Sequence, residues 1–170
     1  MARGNHARGA SIIVVLRVAE GRRKRVTHQD RRGAAYHEAG HVVVASALGL
    51  SVGRMEIAIG GDDAKGAAEI EIERALLLPL VDQLAICAAG LEAQKIFETP
   101  THDDAGLADY GKMFELLDDH EEEERSRLIA AGHQRACELI RLHSQKVERL
   151  ARVLLTTVKI EPDAVAALLK

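Results

Sequence analysis

Hydrophobic residues recur every three to four positions along most of this chain, which is the spacing of helices that are buried on one side. The spacing covers residues 32–48, 74–97, 107–117 and 128–154. Pro79 limits where the second of these helices can begin. The predicted buried stripe of that helix consists of Leu76, Leu77, Leu80, Leu84, Ala88, Leu91 and Ile96. The pattern predicts a core built mainly from packed helices.

Two shorter stretches change to an alternation at every second residue, which is typical of β-strands. The first covers residues 52–59, and the second covers residues 68–73, with alanine and isoleucine on one face and three glutamates on the other. Gly60-Gly61-Asp62-Asp63 between them predicts a turn, and Gly49 is expected to end the first helix. We expect a mainly helical α+β fold in which a small β-hairpin or sheet lies beside that helix.

Charge divides the chain near residue 32. Residues 1–32 carry nine basic and two acidic side chains, a balance of +7, whereas the rest of the sequence has a balance of −10. This boundary predicts a flexible basic N-terminal arm at residues 1–32, with one short strand at residues 11–18, followed by a single domain at residues 33–170. The Arg22-Arg23-Lys24-Arg25 cluster can bind acidic surfaces, although a solvated tail is the simpler interpretation.

The composition disfavours several classes of function. With no Trp, two Tyr and two Phe, the sequence offers few side chains for base stacking, so we do not expect nucleic acid as a partner. The apolar run at residues 12–16 is far too short to span a bilayer, which predicts no membrane association. No GxxxxGK[ST] phosphate loop is present, and Cys87 and Cys137 lack CxxC spacing. These features favour a cytoplasmic protein without a disulfide framework and without an ATPase in this sequence.

The sequence His-Glu-Ala-Gly-His at residues 37–41 carries the most specific chemistry in the chain. On a helix, His37 and His41 lie on one face about one turn apart, where two neutral imidazoles can bind one zinc ion. A third protein ligand would leave a position for water, from which Glu38 can remove a proton. Gly40 costs a helix about 1 kcal/mol relative to Ala, which predicts that backbone or substrate approaches closely at this point.

Spacing alone does not choose the third ligand. Zinc accepts carboxylate oxygen or imidazole nitrogen, so five later side chains qualify. They are Glu92, His102, Asp103, Asp104 and Asp109. His102 is also the best further candidate for stabilising the oxyanion formed in amide hydrolysis. Surface or packing positions are expected for His120, His133 and His143.

Three segments together resemble the peptidase domain of the FtsH-type ATP-dependent zinc proteases. They are Ala-Tyr-His-Glu-Ala-Gly-His-Val-Val-Val-Ala at residues 35–45, Ala-Ala-Gly-Leu-Glu-Ala-Gln at residues 88–94 and Ala-Gly-Leu-Ala-Asp-Tyr at residues 105–110. In that family the third zinc ligand is the Asp of a segment that opens a later helix. The resemblance therefore implies that His37, His41 and Asp109 are the zinc ligands and that Glu38 is the general base.

The resemblance also implies an activity and partners. A zinc-dependent endopeptidase of this type without an ATPase would act on peptides or unfolded proteins, with a separate unfoldase delivering folded substrates, and the family suggests a homo-oligomeric ring. The sequence departs from the family where Leu91 replaces Arg, Gln94 replaces Glu and Ala108 replaces Asn. Two alternatives remain open: a non-catalytic zinc-binding regulatory or interaction domain of the same fold, and a nucleic-acid-associated protein with a structural His-Glu-Ala-Gly-His helix.

Overall fold

The computed structural model of the protein describes residues 27–58, 65–100 and 106–170. In chain order these residues form α1 (His28–Ala47), β1 (Val52–Ala58), β2 (Lys65–Ile70), α2 (Ile72–Ala75), α3 (Leu80–Ile96), α4 (Leu107–Leu116), α5 (Glu122–Leu142), α6 (Ser144–Thr157), β3 (Lys159–Ile160) and α7 (Pro162–Leu168). The predicted mainly helical α+β fold is confirmed. Outside the described residues lie the predicted strand at residues 11–18, the predicted turn at residues 60–63, and His102, Asp103 and Asp104.

Helix α1 begins earlier than its hydrophobic pattern predicts. Thr27 and Asp30 form a capping box, in which Thr27 Oγ1 accepts a hydrogen bond from the Asp30 backbone N–H at 3.2 Å and Asp30 Oδ2 accepts one from the Thr27 N–H at 2.7 Å. This cap starts the helix at His28 rather than at residue 32. Gly49 follows the end of the helix as predicted, with a φ of +81° that side chains other than glycine rarely adopt.

Helix α1 lies at the centre of the core. All of its residues from 35 to 45 are buried, including both histidines, because α3, α6 and the sheet pack around it. The strands form an antiparallel sheet in the order β2-β1-β3. Met55 of β1 is fully buried and lies opposite Ala68 of β2 and Ile160 of β3. The small sheet beside the first helix is therefore present as predicted.

The second strand ends earlier than the predicted residue 73. Strand β2 stops at Ile70, and residues 72–75 form the short helix α2. Glu71 separates them because its backbone N–H donates to the Ser51 carbonyl and its carboxylate accepts from the Ser51 N–H, both at 3.1 Å. These bonds close the β1–β2 pair and turn the chain out of the sheet.

The helical spacing over residues 74–97 is longer than the helix, whose start Pro79 limits as predicted. Helix α3 begins only at Leu80, and Pro79, which has no N–H to donate, occupies the position before it. Leu76 and Leu77 lie in the intervening turn and are 60% and 84% exposed, so they are not part of the buried stripe. Leu84, Ala88 and Leu91 are buried where α3 packs against α1 and α5, and Leu80 and Ile96 at its two ends are partly buried.

The long helix predicted over residues 128–154 is two helices. His143, with φ −114° and ψ 25°, interrupts the helix between α5 and α6. The hydrophobic spacing continues through the break, but α5 packs mainly on α3 whereas α6 packs mainly on α1. Facing two different partners requires a change of direction.

None of the helices in the described ranges combines the length and hydropathy needed to cross a membrane.

Candidate metal centre

Two imidazoles project from the middle of α1 into one buried site. His37 and His41 are separated by one helical turn, and their ring centroids lie 4.7 Å apart. The two Nε2 atoms are 3.0 Å apart, and both residues are at least nine-tenths buried. The helix therefore presents two nitrogen donors to the same point, as the spacing predicts.

Helix α3 sets the orientation of both rings. His41 Nδ1 donates to the Ile86 carbonyl at 2.8 Å, and His37 Nδ1 donates to Gln94 Oε1 at 3.2 Å. The Gln94 amide is itself oriented, because its Nε2 donates to the Pro100 carbonyl at 2.9 Å. With a proton on each Nδ1, the neutral rings turn their Nε2 lone pairs towards the shared site.

Asp109 arrives from the first turn of α4. Gly106 precedes this helix with a φ of +86°, and a Cβ at this position would approach the side chain of Leu91 to 2.7 Å. Glycine is therefore needed for α4 to start against α3. The start of α4 places Asp109 Oδ2 3.2 Å from His37 Nε2 and 3.4 Å from His41 Nε2.

The three side chains can hold a metal ion. Their donor atoms lie within 4.8 Å of one another, and the Asp109 Oδ2 atom is buried without accepting a hydrogen bond from a described residue. Donors bound to one tetrahedral zinc ion at about 2.0–2.1 Å stand about 3.3–3.4 Å apart, close to the three separations seen here. Two imidazole lone pairs and a carboxylate at such distances require a positive charge between them.

The pKa shifts of His41 and Asp109 are consistent with a positive charge at this point. Burial lowers the pKa of His41, but the Asp109 carboxylate, helped by Glu38 and the Ile86 carbonyl, raises it to about 9. Burial raises the pKa of Asp109, but the two histidines outweigh this effect and hold the pKa well below its usual range. A proton on His41 supplies the positive charge when no metal is bound, and a metal ion would replace that proton.

Glu38 lies beside this group and is buried. Its side chain fits against Gly66 of β2, in the space that a Cβ on Gly66 would occupy. Burial raises the pKa of Glu38, although His37 and His41 act in the opposite direction. Glu38 is therefore a carboxyl group that can take up and release a proton closer to neutral pH than an exposed glutamate.

Close contact between α1 and α3 depends on two further glycines. A Cβ on Gly40 would lie 2.5 Å from the Ala89 carbonyl oxygen and 2.7 Å from the Ala93 Cβ. The predicted close approach of backbone at Gly40 is confirmed, and the backbone is that of α3. On the other side, a Cβ on Gly90 would overlap the His37 imidazole. The surroundings of His37 therefore depend on the close contact of these two helices.

Glu92 was also a candidate for the third ligand, but it belongs to another cluster. Its carboxylate accepts from Lys95 Nζ at 2.6 Å, from His133 Nδ1 at 2.7 Å and from Cys137 Sγ at 2.9 Å. The bonds from His133 and Cys137 hold α3 to α5, whereas Lys95 lies on α3 itself. His133 accordingly has a packing role, as predicted, and among the described candidates only Asp109 joins the two histidines.

Four contributions to the site were not predicted from the sequence. They are the Gln94 side chain, the Ile86 carbonyl, and the space left by Gly66 and Gly90. Gln94 and Gly90 do lie in a segment that resembles the FtsH-type proteases, and their spacing of four residues places them on one face of α3. Nothing in the local sequence marks Ile86 or Gly66.

The chain matches no protein-family model and no curated protein. The resemblance to the FtsH-type peptidase domain therefore remains a prediction. What the structure establishes is narrower: a buried group of two histidines and an aspartate that can hold a metal ion, with a buried glutamate beside it.

Proposed function

We propose that the protein is a zinc-dependent endopeptidase of the FtsH type. The observation that carries this proposal is the meeting of His37, His41 and Asp109 around one point, beside the buried Glu38. Two imidazoles and one carboxylate are a donor set typical of catalytic zinc, which keeps a further position for water or substrate. When bound, zinc acts as a Lewis acid and lowers the pKa of its water ligand to about 7.

The side chains divide the remaining work. Gln94 and the Ile86 carbonyl hold the two rings in the orientation that frees Nε2. Glu38 removes a proton from the attacking water and later gives it to the leaving amine, a role that its raised pKa suits. Contact with Gly66 holds the glutamate at the rim of the sheet.

Strand β2 supplies a place for an extended peptide. The N–H of Ile57 in β1 donates to the Val158 carbonyl, on the β3 side. Gly66 lies opposite Ile57 and Ala68 lies opposite Met55. Because antiparallel pairs alternate, the backbone groups of Gly66 and Ala68 point away from β1, towards the edge of the sheet that no described strand covers. An extended peptide can pair with this edge beside Glu38 whatever its side chains.

The wider biology follows the same proposal. Substrates would be peptides or unfolded proteins, because an extended chain is what can pair with a strand edge beside Glu38. Folded substrates would then need a separate unfoldase. A cytoplasmic location and a homo-oligomeric assembly complete the proposed function.

Metal content and cleavage together test this function. The protein should bind one zinc ion per chain and cleave casein. Glu38→Gln should keep the zinc and lose at least about 100-fold in cleavage rate, because only the proton acceptor changes. His37→Ala and Asp109→Ala should lose the zinc.

Glu115→Gln is the matched control, because Glu115 is exposed on the same helix as Asp109 and pairs with Lys112. It should keep both zinc and activity. One zinc per chain without cleavage of any peptide pool would instead support the non-catalytic zinc-binding domain. Zinc retained by Asp109→Ala would assign the third ligand to another residue.

A further inference from the structure

We propose that residues 11–18 of the basic arm pair with the open edge of β2 and so compete with peptide substrates for the same backbone groups. The competition rests on the proposed function, whereas the pairing does not. The edge, the segment and the length of chain between them each support this inference, and charge adds to it.

The edge is unpaired over the described residues. Gly66 and Ala68 point their backbone N–H and C=O groups away from β1, and no described residue bonds to them. Strand β2 packs mainly on β1 and α1, and it is an edge strand of the sheet formed by the described residues. An exposed row of unpaired backbone groups is a template for another strand, which proteins usually cover.

The segment at residues 11–18 has the composition of such a strand. It reads Ser-Ile-Ile-Val-Val-Leu-Arg-Val, with five β-branched aliphatic residues and neither Gly nor Pro. Such an apolar run gains free energy by leaving water. The other edge of the sheet, β3, has only two residues and is followed closely by Pro162, so it offers little backbone for pairing.

The chain between the segment and α1 is long enough. Glu38, which contacts Gly66, lies about 16 Å along α1 from Thr27 at a rise of 1.5 Å per residue. The nine steps from Val18 to Thr27 span about 30 Å when extended. Residues 11–18 can therefore reach the edge in the same molecule, at a high effective concentration.

Charge favours the same placement. The arm is strongly basic, and the chain that follows it is acidic. Two glutamates follow the end of β2. Glu71 forms an ion pair with Arg74 at 3.7 Å, and Glu73 is exposed. Arg17 in the segment and the basic cluster after it would meet this acidic end with opposite charge.

Amide hydrogen exchange measured residue by residue tests the pairing. The comparison is between the full chain and a chain lacking residues 2–18, both carrying Glu38→Gln so that self-cleavage cannot remove the arm. Deletion should speed exchange at the Gly66 and Ala68 N–H groups by about tenfold or more. The Ala67 N–H, which faces β1, should not change and is the internal control.

A matched pair of point variants avoids deletion. Val14→Pro removes a backbone donor in the middle of the segment and should reproduce the effect of the deletion, whereas His6→Pro, outside the segment, should not. Equal exchange at Gly66 and Ala68 in all chains would overturn the proposal. Protection that disappears on dilution would also overturn it, since a second copy of the chain would then cover the edge.

Kinetics separate this proposal from the proposed function. In the active protein, Val14→Pro should lower the KM for an unstructured peptide several-fold and leave kcat unchanged. The segment reduces only the fraction of molecules in which the β2 edge is free to bind substrate. An unchanged KM would contradict the proposed competition between residues 11–18 and the substrate. A chain that cleaves nothing would contradict the peptidase and leave the exchange result as a separate finding about pairing.

Discussion

Gly66 of β2 lies directly against the carboxyl side chain of Glu38, so that a Cβ on Gly66 would overlap the glutamate. The contact joins the sheet edge to the proposed proton acceptor. It also means that the position of Glu38 is set by a strand far from it in sequence.

Gly66→Ala should therefore separate metal binding from catalysis. The added methyl must displace the Glu38 side chain, and we expect cleavage to fall by about 10- to 100-fold with one zinc still bound. Zinc content and casein cleavage, measured together, check this result. Gly111→Ala in α4 is the control, because a Cβ there meets no atom of a described residue within 4 Å. Equal loss of activity in both variants would contradict the role assigned to the contact.

Gln94 should control how tightly zinc is held. Gln94→Leu removes the acceptor that orients His37, and we expect zinc affinity to fall by about 10- to 100-fold. Gln94→Glu keeps an acceptor at this position and should restore most of the affinity. Competition with a chromogenic chelator measures both. Gln134→Leu, which removes only an exposed bond to Glu138, should have no effect; an equal loss there would point to general destabilisation.

The two cysteines should react slowly in the folded protein. Burial raises the pKa of Cys87 to about 12, and burial with the hydrogen bond to Glu92 raises the pKa of Cys137 to about 11. At pH 8 the thiolate fraction of Cys137 is then about 100-fold below that of an ordinary thiol. Alkylation by iodoacetamide should be correspondingly slower than in urea, and it should accelerate as the pH rises towards 11.

Glu92→Gln should change the reactivity of only one of these thiols. Without the carboxylate the pKa of Cys137 falls, so its alkylation at pH 8 should become faster, whereas Cys87 should react as before. Mass spectrometry of peptides containing each cysteine distinguishes them. An unchanged rate at Cys137 would mean that burial alone sets its pKa.

Two leucines of one predicted stripe should behave differently. Leu84 is fully buried, so Leu84→Ala should lower the free energy of unfolding by about 2–5 kcal/mol. Leu77→Ala changes a side chain that is 84% exposed and should alter that free energy by less than about 0.5 kcal/mol. Urea unfolding of both variants gives the comparison. Similar losses would mean that Leu77 is buried as the predicted stripe requires.

Much of the fold was available from local pattern. The helical spacing located α1, α3 and α4, and the change to alternation located the two longer strands. The pattern failed at Leu76, Leu77 and His143, where the hydrophobic spacing continues although the helix does not. Spacing reports which side of a segment is apolar, and it carries no information about whether a partner covers that side.

The candidate site divides in the same way. The sequence by itself determined the chemistry: two histidines one turn apart with a glutamate between them, since that arrangement follows from the helical period. The resemblance to the FtsH-type proteases singled out Asp109 from five side chains that could each bind zinc. Only the tertiary structure brought Asp109 to the histidines, placed Gln94 and Ile86 behind the rings and set Gly66 against Glu38. These contacts join residues distant in sequence, and their distances depend on how closely α1, α3, α4 and the sheet pack, which no local pattern encodes.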